Sequence, residues 1–145
     1  MLTATVYGPA QAMGSKRAFV VGGRAVVVDN SSKKLRTYQE GLRESMRECK
    51  PEQVMLGPVS VTITIFMARP KCHYGTGRNA HVLKANAPRY PIVAPDYDKC
   101  ARAVSDCGTG IWWRDDSQIV MAIIDKRYAD EGEERTVVSA VEIAS

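Results

Sequence analysis

No stretch of this 145-residue chain is apolar for long enough to span a bilayer. No secretory leader pattern opens it either, so a soluble, cytoplasmic protein is expected. The four cysteines (Cys49, Cys72, Cys100 and Cys107) contain no CxxC pair. That speaks against a disulfide framework and for reduced thiols. Repeats and low-complexity tracts are missing, and the length suits a single domain, residues 1–145, with a core that needs no staples. Acid is absent from one place: residues 68–94 contain none, whereas Arg69, Lys71, Arg78, Lys84, Arg89 and both histidines fall there. Over the whole chain 20 Lys and Arg face 16 Asp and Glu, a net charge of +4. That bias is compatible with a polyanionic partner without requiring one.

What is present reads as alternating strands and helices. Residues 2–7 form a strand pattern ended by Gly8-Pro9. Phe19-Val20-Val21 and Ala25-Val26-Val27-Val28 flank Gly22-Gly23 as a hairpin. From Lys33 to Lys50, Leu35, Tyr38, Leu42, Met46 and Cys49 recur at helical spacing, with Ser31 or Ser32 as N-cap. Val59, Val61, Ile63, Ile65 and Met67 alternate with polar residues as a half-buried strand. After the irregular segment 69–94, a helix is predicted from about Asp98 to Cys107, stopped by Gly108-Thr109-Gly110. Strands at 118–128 and 135–143 follow. The expected fold is α/β in the broad sense (α+β), one mixed-sheet domain of about five strands and two main helices.

Two acidic clusters carry the chemistry: Asp96 and Asp98, and seventeen residues further on Asp115-Asp116, just before the apolar run Ile119–Ile124. Carboxylate oxygens suit a hard cation such as Mg²⁺ or Mn²⁺, and beside a basic segment such a site points to chemistry on phosphate. A turn with an N-cap would account for either cluster taken alone. An EF-hand fails because Cys100 and Ala101 stand where a ligand and a glycine are needed. Pro91 and Pro95 disfavour the buried strand that a phosphoaspartate motif would follow. Arg102 lies four residues beyond Asp98 on one helix face, with Asp106 a further four on, placed to orient it. Cys72, His73 and His81 match no zinc-finger spacing. Trp112-Trp113 offers either base stacking or core packing, with core the favoured role for Trp113.

Pro95-Asp96-Tyr97-Asp98, then Arg102-Ala103-Val104-Ser105-Asp106, then Ile111-Trp112-Trp113-Arg114-Asp115-Asp116-Ser117-Gln118-Ile119-Val120 resemble the RusA family of Holliday junction resolvases. The likeness runs on into Lys126-Arg127-Tyr128, covers roughly residues 95–128, and extends to the N-terminal half only in layout. It implies a Mg²⁺- or Mn²⁺-dependent endonuclease of bacteria or their phages, acting as a homodimer on four-way DNA junctions. The family's aspartates fall on Asp96, Asp98 and Asp116, Asp115 matches the neighbouring acid, and the family's helix lysine falls on Arg102. Lys99-Cys100 stands where Asn-Leu is usual. On this reading Asp96, Asp98 and Asp116, with Asp115 as a further candidate, hold one or two ions against the scissile phosphate. Lys16, Arg17, Arg24, Arg69, Lys71, Arg78, Lys84 and Arg89 are the candidate DNA contacts. Strands 59–67 and 118–124 carry more apolar surface than two helices would cover, as an isologous interface requires. A flap or fork nuclease, or a non-catalytic DNA-binding accessory protein on the same scaffold, stays open beside this.

Overall fold

A computed structural model describes residues 1–14, 17–28 and 32–145, and the side chains of these except at 17–19, 27 and 28. Lys16, the side chain of Arg17 and the alternative cap Ser31 therefore lie outside the described residues. Six strands and two α-helices follow in the order β1 (Leu2–Tyr7), β2 (Arg17–Val21), β3 (Arg24–Val28), α1 (Lys33–Glu48), β4 (Val59–Met67), α2 (Tyr97–Gly108), β5 (Ile119–Tyr128) and β6 (Arg135–Glu142). The fold is α+β, but the strands divide. Four make a sheet in the order β1-β6-β4-β5, and β2-β3 pair only with each other. The tight turn of that hairpin falls on Gly22 and Gly23, both at positive φ (56° and 78°), which β-carbons would resist.

The main sheet is mixed because of its connections. β5 runs parallel to β4, and the crossover that parallel pairing demands is supplied by residues 68–118, α2 included. β6 is antiparallel to both β1 and β4. Alternation along β4 sends Val59, Val61, Ile63 and Ile65 to one buried face, where both helices pack. α1 meets them with Leu35, Tyr38, Leu42 and Met46 at three- and four-residue spacing, and Ser32 caps it by accepting from Leu35 N at 3.1 Å. α2 contributes Cys100, Ala103, Val104 and Cys107. Gln39 stitches the helices together by donating to Ala103 O at 3.0 Å.

Both tryptophans belong to this core, so the base-stacking role considered for Trp112 is withdrawn. Each is fully buried, and Trp112 Nε1 donates to Met46 O at 3.0 Å. Buried indole N–H groups need such a partner, and backbone supplies it here. Among the described residues no helix is long and apolar enough to cross a membrane.

Candidate active site

α2 decides where the acids sit. Its N-cap is Asp96, and Asp98 lies in its first turn, where carboxylates are favoured by the unpaired N–H groups and the helix dipole. The Asp96 side chain makes no capping hydrogen bond and is exposed to solvent, with Lys99 Nζ 3.9 Å away. Asp96 and Asp98 share an open groove of about 450 Å³ with Ile92, Val93, Tyr97 and Lys126. In the sequence Lys126 figured only in the family likeness and not among the site residues, though strand alternation could have placed it there. Ala122, Ile124, Lys126 and Tyr128 take the helix-facing side of β5, opposite Val61, Ile63, Ile65 and Met67, and a lysine among such neighbours marks a site. Its ammonium donates to Val93 O at 2.5 Å, which leaves donors for an anion.

Asp116 stands elsewhere. It opens a single 3₁₀ turn, Asp116–Gln118, that leads into β5. One of its oxygens, Oδ1, accepts from Thr109 Oγ1 at 2.6 Å and from Trp113 Nε1 at 2.9 Å. Thr109 is the C-cap of α2. The 12 residues of that helix span about 18 Å, so Asp116 and the Asp96–Asp98 pair sit at its opposite ends. Two oxygen ligands of one Mg²⁺ are at most about 4 Å apart, since each lies about 2 Å from the ion. Consistently, no three Asp, Glu, His or Cys side chains converge as a ligand set among the described residues. The grouping of all three aspartates within one chain is thus corrected: α2 holds them apart. The oxygens present are of the right kind for a hard cation, but one chain offers them in two separate portions.

The neighbouring acid serves its own turn. Asp115 Oδ1 accepts from Ser117 N at 2.8 Å, and Gln118 Oε1 accepts from Asp115 N at 2.8 Å, a reciprocal capping box. Hydrogen bonds from the Ser117 side chain and backbone hold the Asp115 carboxyl below the usual carboxylate range. Arg102 is exposed one turn beyond Asp98 and takes part in none of the ion pairs among the described residues. Asp106 does not orient it. That carboxylate faces Arg43 of α1 at 3.9 Å instead.

Of the basic residues, Arg24, Lys71, Arg78, Lys84 and Arg89 are exposed. Arg69 is corrected. Its side chain is only 4% exposed and clasps Asp130 from Nε at 2.5 Å. It also donates to Pro88 O at 2.7 Å and lies 4.2 Å from the Tyr128 ring centroid. With its donors taken up, it anchors the irregular segment to β5 and presents nothing to a phosphate. His73 packs edge-on against Tyr128 at 5.3 Å in the same cluster.

All four cysteines are free thiols. Burial pushes Cys100, beneath the acids, up to about 11, opposed by nearby Lys126, and pushes Cys107 up to about 12. Both stay protonated at neutral pH and serve as core, not as nucleophiles or ligands.

A family model described as endodeoxyribonuclease RusA matches residues 9–140 of this chain. The chain is also 28% identical over 127 residues to the uncharacterized protein YqaN of Bacillus subtilis (strain 168), which spans 88% of this chain and 87% of that protein.

Proposed function

This chain belongs to the RusA family of endodeoxyribonucleases, and from that membership we propose a Mg²⁺- or Mn²⁺-dependent resolvase that cuts four-way DNA junctions in two symmetry-related strands. The observation that carries the reading is the division of three exposed aspartates between the two ends of α2. A centre that unites them needs two copies of the chain. Asp96 and Asp98 of one copy supply one portion, and Asp116 of a second copy supplies the other. A two-fold pair then contains two such centres at a fixed separation, as two nicks on a four-way junction require.

When bound there, a divalent cation supplies Lewis acidity toward the phosphate and raises the acidity of water beside it. The protein's own groups do the rest. Asp96, Asp98 and the second copy's Asp116 fix the ligand geometry. Thr109 and Trp113 pin one oxygen of Asp116, so that its other oxygen is aimed without reorganisation. Arg102 offers a guanidinium to the non-bridging phosphate oxygens as charge builds on them, and Lys126 offers an ammonium from the groove. Water adds across one P–O bond: its oxygen joins phosphorus, and the departing bridging oxygen ends with a proton. Arg24, Lys71, Arg78, Lys84 and Arg89 make sequence-independent contacts to the arms. The whole chain acts as one catalytic domain on DNA in the bacterial cytoplasm, encoded by the bacterium or by a phage.

Complementation tests this. Asp98→Asn and Asp116→Asn should each abolish cleavage of a synthetic four-way junction. Co-expressed, they form mixed dimers with one unaltered centre and one doubly altered one, and these should nick single strands without paired resolution. A mixture as inactive as its components would rule out the shared centre. Cleavage of flaps with indifference to four-way junctions would reassign the protein as a flap nuclease.

A further inference from the structure

The segment that leads into α2 passes two hollows. Ile92, Val93 and Ala94 line the groove of Asp96, Asp98 and Lys126. Just before them, Arg89 and Tyr90 line a second hollow of about 360 Å³ with Arg127, Tyr128 and Asp130. Asp130 is taken up by Arg69, and Arg127 is held by Asp125 at 2.7 Å, which leaves Arg89 as the cation there. The changeover falls at Pro91, which is buried, whereas Ile92 stands 90% exposed and Val93 56%. Tyr90 and Tyr97 flank them and are exposed as well. One stray apolar side chain at a surface means little, but four around a groove form a patch. Its backbone is held in place. Lys126 Nζ donates to Val93 O at 2.5 Å and Arg69 Nη1 to Pro88 O at 2.7 Å, while Pro91 and Pro95 restrict the chain on either side. A ridge fixed in this way meets a partner without first having to be ordered.

We propose that Ile92 is a wedge that enters an opened base step at the branch point of the DNA, and that it sets the preference for branched over plain duplex substrate. The proposal rests on the endonuclease reading above. Lys126 on one side and Arg89 on the other border the patch, and residues 68–94 carry no acid. That charge suits a nucleic acid rather than an apolar protein surface. Isoleucine is among the side chains that insert between base pairs, and insertion costs the unstacking of that step. Continuous duplex must meet the cost in full. At a branch point the arms already part, and a base there leaves its stack more readily. The same ridge therefore discriminates by the shape of the DNA and not by its sequence. Its position also suits the chemistry. A wedge seated at the crossover brings a phosphate of the adjoining nucleotide to the groove of Asp96, Asp98 and Lys126. The strand on the far side of the ridge passes Arg89, where its own phosphate meets a cation. Tyr97 and Tyr90 offer a ring face to displaced bases, one on each side.

Ile92→Ala in the full-length protein tests this, and so exposed a side chain can be shortened without disturbing the fold. A four-way junction carrying the fluorescent base 2-aminopurine at the branch should brighten when the parent protein binds it without metal, because that base emits when unstacked. With Ile92→Ala the rise should be lost. In Mg²⁺ the variant should cut the fully paired junction at least about 10-fold more slowly, since it no longer holds the step open. A junction with unpaired nucleotides at the crossover is open already, and both proteins should cut it at the same rate. Val82→Ala, in the same segment but lining neither hollow, should change none of these readings. Equal brightening and equal cleavage by parent and variant would overturn the wedge and leave the resolvase standing. Slow cleavage that the opened junction does not restore would overturn it too, and make Ile92 a part of the groove's own structure. A parent protein that brightens the junction through Ile92 yet never nicks it would keep the wedge and sink the endonuclease.

Discussion

The indole N–H of Trp113 donates to Asp116 Oδ1 at 2.9 Å, tying a fully buried core ring to an exposed carboxylate. Trp113→Phe keeps most of the packing and removes that donor, and Thr109→Val removes the other. Each should weaken metal-dependent cleavage about 10- to 100-fold, the range for losing a group that orients a ligand. Titrating Mg²⁺ against nicking rate checks this: the midpoint should move to higher concentration while junction binding stays unchanged. A loss that more metal does not restore would leave the two bonds a structural role only.

Gly108 is where helix propensity and packing oppose each other. A β-carbon there would meet Trp113 ring atoms at 2.2 and 2.3 Å, a distance that forces the indole to move. Alanine normally gains about 0.5–1 kcal/mol over glycine within a helix, but overpacking costs about 1–3 kcal/mol. The clash should win. Gly108→Ala should lower the melting temperature by several degrees and reduce cleavage as well, because Trp113 carries Asp116 with it.

Arg102→Ala should slow cleavage by roughly 10²–10³-fold, the range for removing one preorganised donor to transition-state charge. Junction affinity should change little. Gel shifts beside single-turnover rates separate the two effects, and a defect confined to affinity would make Arg102 a phosphate-positioning group. Asp115→Asn should be much milder, since that carboxylate is occupied by Ser117.

Cysteine chemistry gives a pH test. Burial holds the Cys100 and Cys107 thiols neutral to about 11 and about 12, above the roughly 8.5 of an unfolded thiol. Their contribution to stability is complete below that unfolded value and is lost as pH rises toward the folded ones. Urea midpoints should therefore fall between pH 8 and 10, and by less in Cys107→Ala. At pH 8 a thiol reagent should label exposed Cys72 promptly and reach Cys100 and Cys107 only on unfolding.

Much of this was legible in the chain. The alternation at 59–67 and the helical spacing from Lys33 located β4 and α1 closely, because one face of each must be buried and the period of the pattern names the element. Pairing was not legible. Local pattern does not say that β5 lies parallel to β4 at an edge, or that β2-β3 stand apart. Nor could the composition of residues 68–94 reveal that Arg69 turns inward to Asp130, a residue 61 positions away. Asp96, Asp98 and Asp116 were found as residue types, but their distance in space is set by α2, whose ends they mark. Only a folded chain shows that nearness in sequence was separation in space.

That helix also governs how activity responds to dose. If the centre is shared between copies, an isolated copy holds two half-centres, about 18 Å apart along α2, and completes neither. Below the concentration at which copies associate, cleavage should then climb with the square of the protein concentration, whereas a self-sufficient nuclease climbs in proportion. On that arrangement a newly made chain diffusing alone along duplex DNA would be chemically silent, and its hazard to the genome would begin only when it meets another.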